Sequence, residues 1–152
     1  MNMAILKIKE KDFVAKCAFK FNKWADEKYN DENKKGDKAG GFMNIYNNLL
    51  EFETNYLAAF WDCALAYLGK EKPSLSEIED AIEARIEEDG DTEKLIKEAF
   101  NELTDSGFFK MKAKKYWKNL EILKITGKTE DEKKENLKMY NMMQENKNAM
   151  KE

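Results

Sequence analysis

The chain has 152 residues, a formal net charge of −3 and no histidine. That length suits one domain with a modest core, and the near-neutral balance gives no whole-molecule drive toward nucleic acid or an anionic membrane. The missing imidazole removes both the usual general base and the commonest metal ligand. With one proline, seven glycines and a 38% charged fraction rich in Lys and Glu, the composition favours a mainly helical chain.

Leu6 and Ile8 alternate with Lys7 and Lys9, and Phe13, Ala15, Cys17 and Phe19 alternate with Val14, Lys16 and Ala18. This period of two predicts a short N-terminal hairpin over residues 5–19, with its turn at residues 9–12. Phe21, Trp24, Ala25 and Tyr29 then switch to helical spacing, giving a first helix that covers the hairpin. Residues 30–41 are polar, lysine-rich and glycine-punctuated, and read as a loop. From Phe42, the positions Ile45, Tyr46, Leu49 and Leu50 define a second helix. Thr54 is placed to cap a third, which carries Leu57, Phe60, Trp61, Ala64, Leu65 and Leu68. This nearly uncharged aromatic stretch is the expected centre of a helical bundle.

Pro73-Ser74-Leu75-Ser76-Glu77 has the form of a capping box, and Leu75, Ile78, Ile82, Arg85 and Ile86 follow at helical spacing. After Asp89-Gly90-Asp91, another helix carries Leu95, Ile96, Ala99, Phe100 and Leu103, with Gly107 expected to end it in a left-handed turn. Ala113, Tyr116, Trp117, Leu120 and Leu123 continue the helical pattern as far as Gly127, and Thr129-Glu130-Asp131-Glu132 resembles a second capping box. The final stretch has sparse apolar positions at Leu137, Tyr140, Met143 and Met150, weakly stable as a helix on its own. The expected organisation is one domain over residues 1–127 followed by a movable helical tail over 128–152.

Candidate chemistry is sparse. Cys17 and Cys63 are isolated thiols without metal-pair spacing, and read as reduced core residues of a cytoplasmic protein. The N-terminus lacks the apolar run of an export signal, and no span approaches the roughly 18 apolar residues of a membrane helix. Twelve acidic and three basic residues lie between Ser74 and Asp105, an acidic face suited to a basic partner. Its densest cluster, Glu87, Glu88, Asp89, Asp91 and Glu93, does not fit a calcium loop, because the twelfth position from Asp89 is Phe100. No cofactor or metal is expected.

Lys110, Lys112, Lys114, Lys115 and Lys118 interleave with Tyr116 and Trp117, a pattern that would suit nucleic acid through phosphate contacts and stacking. Arg85 is the chain's one arginine, which weakens that reading. The alternative is a helix whose aromatic face packs while its lysines stay in water. Phe108 and Phe109 directly follow Gly107; one ring is expected to fold back, leaving the other as a candidate partner anchor. Met139, Met142, Met143 and Met150 put half of the eight methionines in the tail, where they would either cover the bundle or repack around varied apolar helices. The candidate partner-binding residues are therefore Phe108, Phe109, Lys112, Tyr116, Trp117, Tyr140, Met142 and Met143.

Several segments together resemble the small tail assembly chaperones of long-tailed phages and prophages of Gram-positive bacteria. They are Leu6-Lys7-Ile8, residues 13–21 and 24–29, the glycine-bearing linker 36–41 and the apolar region 42–68. Pro73-Ser74-Leu75 running to Ile86, residues 95–103, and Ser106-Gly107-Phe108-Phe109-Lys110 complete the pattern. The resemblance covers the first three quarters of the chain and implies a non-enzymatic, stoichiometric role. The implied client is the tape measure protein, a long helical and partly hydrophobic chain shielded before the tail tube polymerises around it. It further implies residence in the host cytoplasm, absence from the mature virion, and a frameshift-extended form whose extension recruits tail tube protein. Self-association is compatible with such a role. The rival expectation is a nucleic-acid-binding or regulatory protein acting through residues 110–118.

Overall fold

The computed structural model describes residues 3–30 and 39–151, and they form the expected mainly helical bundle with a short N-terminal hairpin. Strands β1 (Ile5–Ile8) and β2 (Lys11–Val14) are antiparallel, with Ile5 opposite Val14 and Ile8 opposite Lys11. Leu6 and Ile8 face inward while Ile5 and Lys7 face out, which is the alternation the sequence predicts. The hairpin is shorter than expected. Its turn is the two residues Lys9 and Glu10, both in left-handed conformation at φ 51° and 66°, and β2 ends at Val14 rather than running to Phe19. Beyond Val14 one further bond keeps the same register, the Ala15 amide donating to the Ala4 carbonyl, and the Lys16 amide then leaves the hairpin for the Ala64 carbonyl.

Phe19 opens helix α1 (Phe19–Lys28), which buries Phe21 and Ala25. Helix α2 (Gly41–Leu50) starts hard against it. A Cβ on Gly41 would lie 2.2 Å from the Ala25 carbonyl carbon, so only glycine permits this approach. The Gly41 amide also donates to the Asp26 carboxylate at 3.0 Å. Most of the predicted loop at 30–41, including the start of the glycine-bearing linker, lies outside the described residues.

Helix α3 (Asn55–Ala64) is the centre of the core, as its composition predicts. Leu57, Ala59, Phe60, Trp61, Cys63 and Ala64 are all buried, and α1, α2, α4 and α5 pack around it. Thr54 occupies the cap position without a side-chain cap bond, and the helix stops before Leu65, passing into a 3-10 stretch, Ala66–Glu71. Buried Asp62 is fully satisfied: Trp24 Nε1 and Tyr29 Oη each donate to it at 2.8 Å, and Lys72 pairs with it while lying 5.0 Å over the Trp24 ring. Burial, reinforced by the Asp62 carboxylate, pushes the Tyr29 phenol well above its ordinary pKa. This cluster ties α1, α3 and the 3-10 stretch together.

Helix α4 (Leu75–Asp89) begins with the predicted capping box, both reciprocal bonds present at 3.0 and 3.1 Å. Lys9 reaches Glu77 at 2.7 Å, tying the hairpin turn to the helix start. That ammonium first, then the Ser74 amide and hydroxyl, hold the Glu77 carboxyl down at about 2. Arg85 clamps α4 to α5 (Glu93–Asp105) by bonding Asp89 and, in a two-pronged contact, Glu98.

The left-handed glycine stop falls on Gly90, at φ 91°, where it ends α4. Gly107 does not adopt the expected left-handed turn. Helix α5 ends because Ser106 turns extended, at φ −63° and ψ 139°. Helix α6 (Lys110–Leu120), a 3-10 stretch (Glu121–Lys124) and α7 (Glu130–Lys151) complete the chain. Thr129 caps α7 by accepting the Glu132 amide at 3.1 Å, while the Glu132 carboxylate accepts the Lys128 amide at 2.6 Å. The C-terminal end of α7 packs on α2 and α5: Met150 is buried, Asn101 Nδ2 donates to the Met150 carbonyl at 2.8 Å, and Asn146 Nδ2 donates to the Leu50 carbonyl at 3.3 Å.

Candidate protein-docking surface

Ser106 turns the chain between α5 and α6. Its hydroxyl accepts the Phe109 amide at 3.2 Å and its carbonyl accepts the Lys110 amide at 2.9 Å, so a buried serine serves as the cap of the incoming turn. This geometry splits the phenylalanine pair. Phe109 is driven into the core, stacked on Phe42 with centroids 4.1 Å apart and edge-on to Phe21 at 5.2 Å. Phe108 stays at the surface, 38% exposed, and meets the ring of Phe19 edge-to-face at 5.0 Å, with Phe19 itself 71% exposed. Phe108 also touches Phe109 edge-to-face at 4.9 Å. A continuous run of rings therefore connects the exposed Phe19–Phe108 pair through Phe109 and Phe42 to Tyr46 and Phe100 in the core. Met111, one turn further on, is 74% exposed.

Helix α6 turns its aromatic side inward. Trp117 Nε1 donates to the Tyr46 hydroxyl at 2.8 Å, that hydroxyl lies 3.2 Å from Thr104 Oγ1, and Tyr116 Oη donates to Asn47. Burial raises the Tyr46 phenol above its ordinary pKa and pushes Tyr116 up to about 12. Both rings thus face protein, which leaves the lysines of α6 without the exposed stacking platforms a single-stranded nucleic acid would use. Lys112 is exposed, its ammonium 5.5 Å over the Phe42 ring.

The remaining candidates lie on α7. Tyr140 is buried beneath Lys124, whose ammonium sits 4.9 Å over the ring, and its hydroxyl accepts Gln144 Nε2 at 3.0 Å. Met143 packs partly buried on the core, and Met142 is 56% exposed. The structure thus brings Phe108, Phe109, Lys112, Tyr116 and Trp117 together on one turn and helix, and sets Tyr140, Met142 and Met143 apart on another. Sequence reasoning missed Phe19. Its place in an alternating run suggested a strand, and nothing local reveals that a ring 89 positions later comes to rest against it.

Among the described residues there is no group of three or more metal-ligating side chains, and no helix is long and apolar enough to cross a membrane. Cys63 is buried and Cys17 half-buried; burial pushes the Cys17 thiol up to about 12 and also raises Cys63 well above its ordinary value, which favours the neutral thiol in both. In the acidic cluster, Asp89 is bound by Arg85, the Asp91 carboxylate accepts the Glu93 amide, and Glu93 pairs with Lys97.

Residues 5–118 of the 152, from the first residue of β1 to within the last turn of α6, match the family described as phage tail assembly chaperone protein, TAC. This chain belongs to that family. No curated protein and no solved structure matches it. Membership assigns the chain a role in phage tail assembly, with phage tail proteins as partners, and a chaperone family points to a non-enzymatic role. The match takes in Phe19, Ser106, Phe108 and Phe109, the residues that build and present the exposed aromatic pair.

Proposed function

We propose that this tail assembly chaperone binds the tape measure protein and keeps it soluble until the tail tube forms around it, using the Phe19–Phe108 pair as its apolar anchor. The observation that carries the reading is an edge-to-face aromatic pair left at the surface yet fixed from beneath by Phe109 and the core rings. Rigid aromatic anchors contribute most to protein interfaces because they bury much area at small cost in side-chain entropy. A long helical client with exposed apolar stripes offers the complementary surface, and the charged exterior of the chaperone keeps the complex hydrated. Such binding is stoichiometric: it lowers the concentration of free client by mass action. It belongs to the host cytoplasm, before the virion is complete, and a frameshift-extended form would bring in tail tube subunits.

Coexpression tests this. The tape measure protein should be markedly more soluble with the wild-type chain than without it, and the Phe19→Ser/Phe108→Ser variant should fold normally but lose the effect. A client equally soluble with and without the chaperone sinks the proposal. Salt-sensitive binding of an oligonucleotide, abolished by reversing charges on α6, would favour the rival nucleic-acid reading.

A further inference from the structure

A cleft of about 410 Å³ lies between α6, α7 and the end of α5. On its α6 side Lys110, Lys114 and Lys118 recur every four residues, and on its α7 side Lys147 and Lys151 do the same. The carboxylates lining it are Asp105 and Glu121, too few to balance the lysines, and none of these ammoniums has a salt-bridge partner among the described residues. Lys147 is half-buried, 4.6 Å over the Trp117 ring. Burial, together with Lys151 beside it, holds that ammonium below its ordinary pKa, as expected where positive charge is not neutralised from within. Ala113 and Trp117 supply an apolar strip of the wall.

The occupant that fits is anionic, and two features speak for carboxylates rather than a polynucleotide. Trp117 is 7% exposed and gives its Nε1–H to Tyr46, so the cleft offers no open face for a base to stack on. Its cations are all lysines, point charges without the fork that grips phosphate in two places. The net charge of −3 also works against a long polyanion, whereas a short acidic segment meets only the cleft. Each lysine row repeats at about 6 Å, four residues at 1.5 Å each, and carboxylates four residues apart on a helix repeat at the same distance. A helix projects side chains from two flanks, so one row of carboxylates faces α6 and another faces α7. An extended segment turns alternate side chains away from the cleft.

We propose that this cleft is a docking groove for an acidic helix of another protein, its carboxylates reaching the α6 and α7 lysines from two flanks and an apolar residue between them covering Ala113 and Trp117. A single exposed ion pair contributes only about 0–1 kcal/mol, but a set held in one cleft acts together. The groove uses neither Phe19 nor Phe108, and its test needs no tape measure protein, so it stands or falls independently of the proposed client.

Fluorescence anisotropy tests it, using the full chain and a labelled synthetic helix of about 18 residues that spans the α6 row, with glutamates on two flanks and leucines between. The peptide should bind saturably at about 0.1 M salt and be released at about 1 M, where the screening length falls from about 10 Å to about 3 Å. Lys114→Glu/Lys118→Glu should weaken binding by at least about tenfold, and so should scrambling the peptide to spread the same glutamates all round the helix. Lys114→Gln/Lys118→Gln, which removes charge without reversing it, should weaken binding less. Lys20→Glu/Lys23→Glu makes the same charge change at exposed positions on α1 and should leave affinity within about twofold. Circular dichroism and melting check that each variant is folded. No binding at low salt, equal binding of the ordered and scrambled peptides, or equal losses from the α6 and α1 reversals would overturn the proposal. So would an oligonucleotide that occupies the cleft more tightly than the peptide, or peptide binding that vanishes as the chaperone is concentrated, since copies of the chain would then fill the cleft.

Discussion

Phe108 and Phe109 are adjacent and chemically identical, yet the turn at Ser106 gives them opposite tasks. Phe109 is 2% exposed and contacts Phe21, Phe42 and Phe108; Phe108 is 38% exposed and shares its outer edge with Phe19. Truncating a core aromatic removes its transfer energy and leaves a cavity, so Phe109→Ala should cost about 3–5 kcal/mol. Phe108→Ala leaves no enclosed void and should cost less than about 1 kcal/mol. Urea melts of the two variants check this, and equal losses would mean that the Phe108 ring is as integral to the core as its neighbour. The sequence allows one ring in and one ring out but does not say which. The choice is made by the Ser106 hydroxyl accepting the Phe109 amide, a bond formed only once α5 has stopped one residue earlier.

At the scale of elements, helix faces were legible and their endings were not. The apolar spacing of Phe42, Ile45, Tyr46, Leu49 and Leu50 translates directly into the buried side of α2, because a packed bundle must bury such a stripe. The Ser74–Glu77 box was legible for a similar reason, being closed within four residues. Left-handed positions were another matter. Glycine marks one at Gly90, but Lys9, Glu10 and Phe52 adopt positive φ with no residue signal, and Gly107, which carries the signal, does not. Phe52 completes a helix-ending motif in full: its amide donates to the Leu49 carbonyl at 3.0 Å and the Glu53 amide to the Asn48 carbonyl at 2.9 Å. Glycine normally holds that position, and a side chain there costs about 1–2 kcal/mol. Phe52 is 46% exposed and returns little of that through packing. After the extra freedom glycine gives the unfolded chain, Phe52→Gly should still stabilise by about 0.5–1 kcal/mol, read as a higher urea midpoint at unchanged slope. A loss of stability would show instead that the ring packs well enough to outweigh its backbone strain.

For the whole molecule, the question is whether α7 is a separable tail or part of one cooperative unit. It lies beyond residues 5–118, the span that matches the chaperone family, and its surface is mostly Lys, Glu and Asn. Alone in water such a helix would be weak. Its last two turns nevertheless place Met150 in the core cluster, receive a bond from Asn101, lend one to Leu50 and set Lys147 over Trp117. These contacts reach α2, α5 and α6, the helices that carry Tyr46, Phe100 and Trp117, so α7 closes the same core that supports Phe109. If α7 belongs to the unit, Met150→Ala should cost about 2 kcal/mol or more, in the range of buried methionine truncations. A chain ending at Gly127 should melt several degrees lower and expose apolar surface to a hydrophobic dye. Melting of the intact chain should give one transition, coincident by far-ultraviolet circular dichroism and by tryptophan fluorescence. The opposite outcome is equally clear-cut: a Met150→Ala variant within about 0.5 kcal/mol of wild type, and a truncated chain melting with the intact one, would make the tail an independent arm.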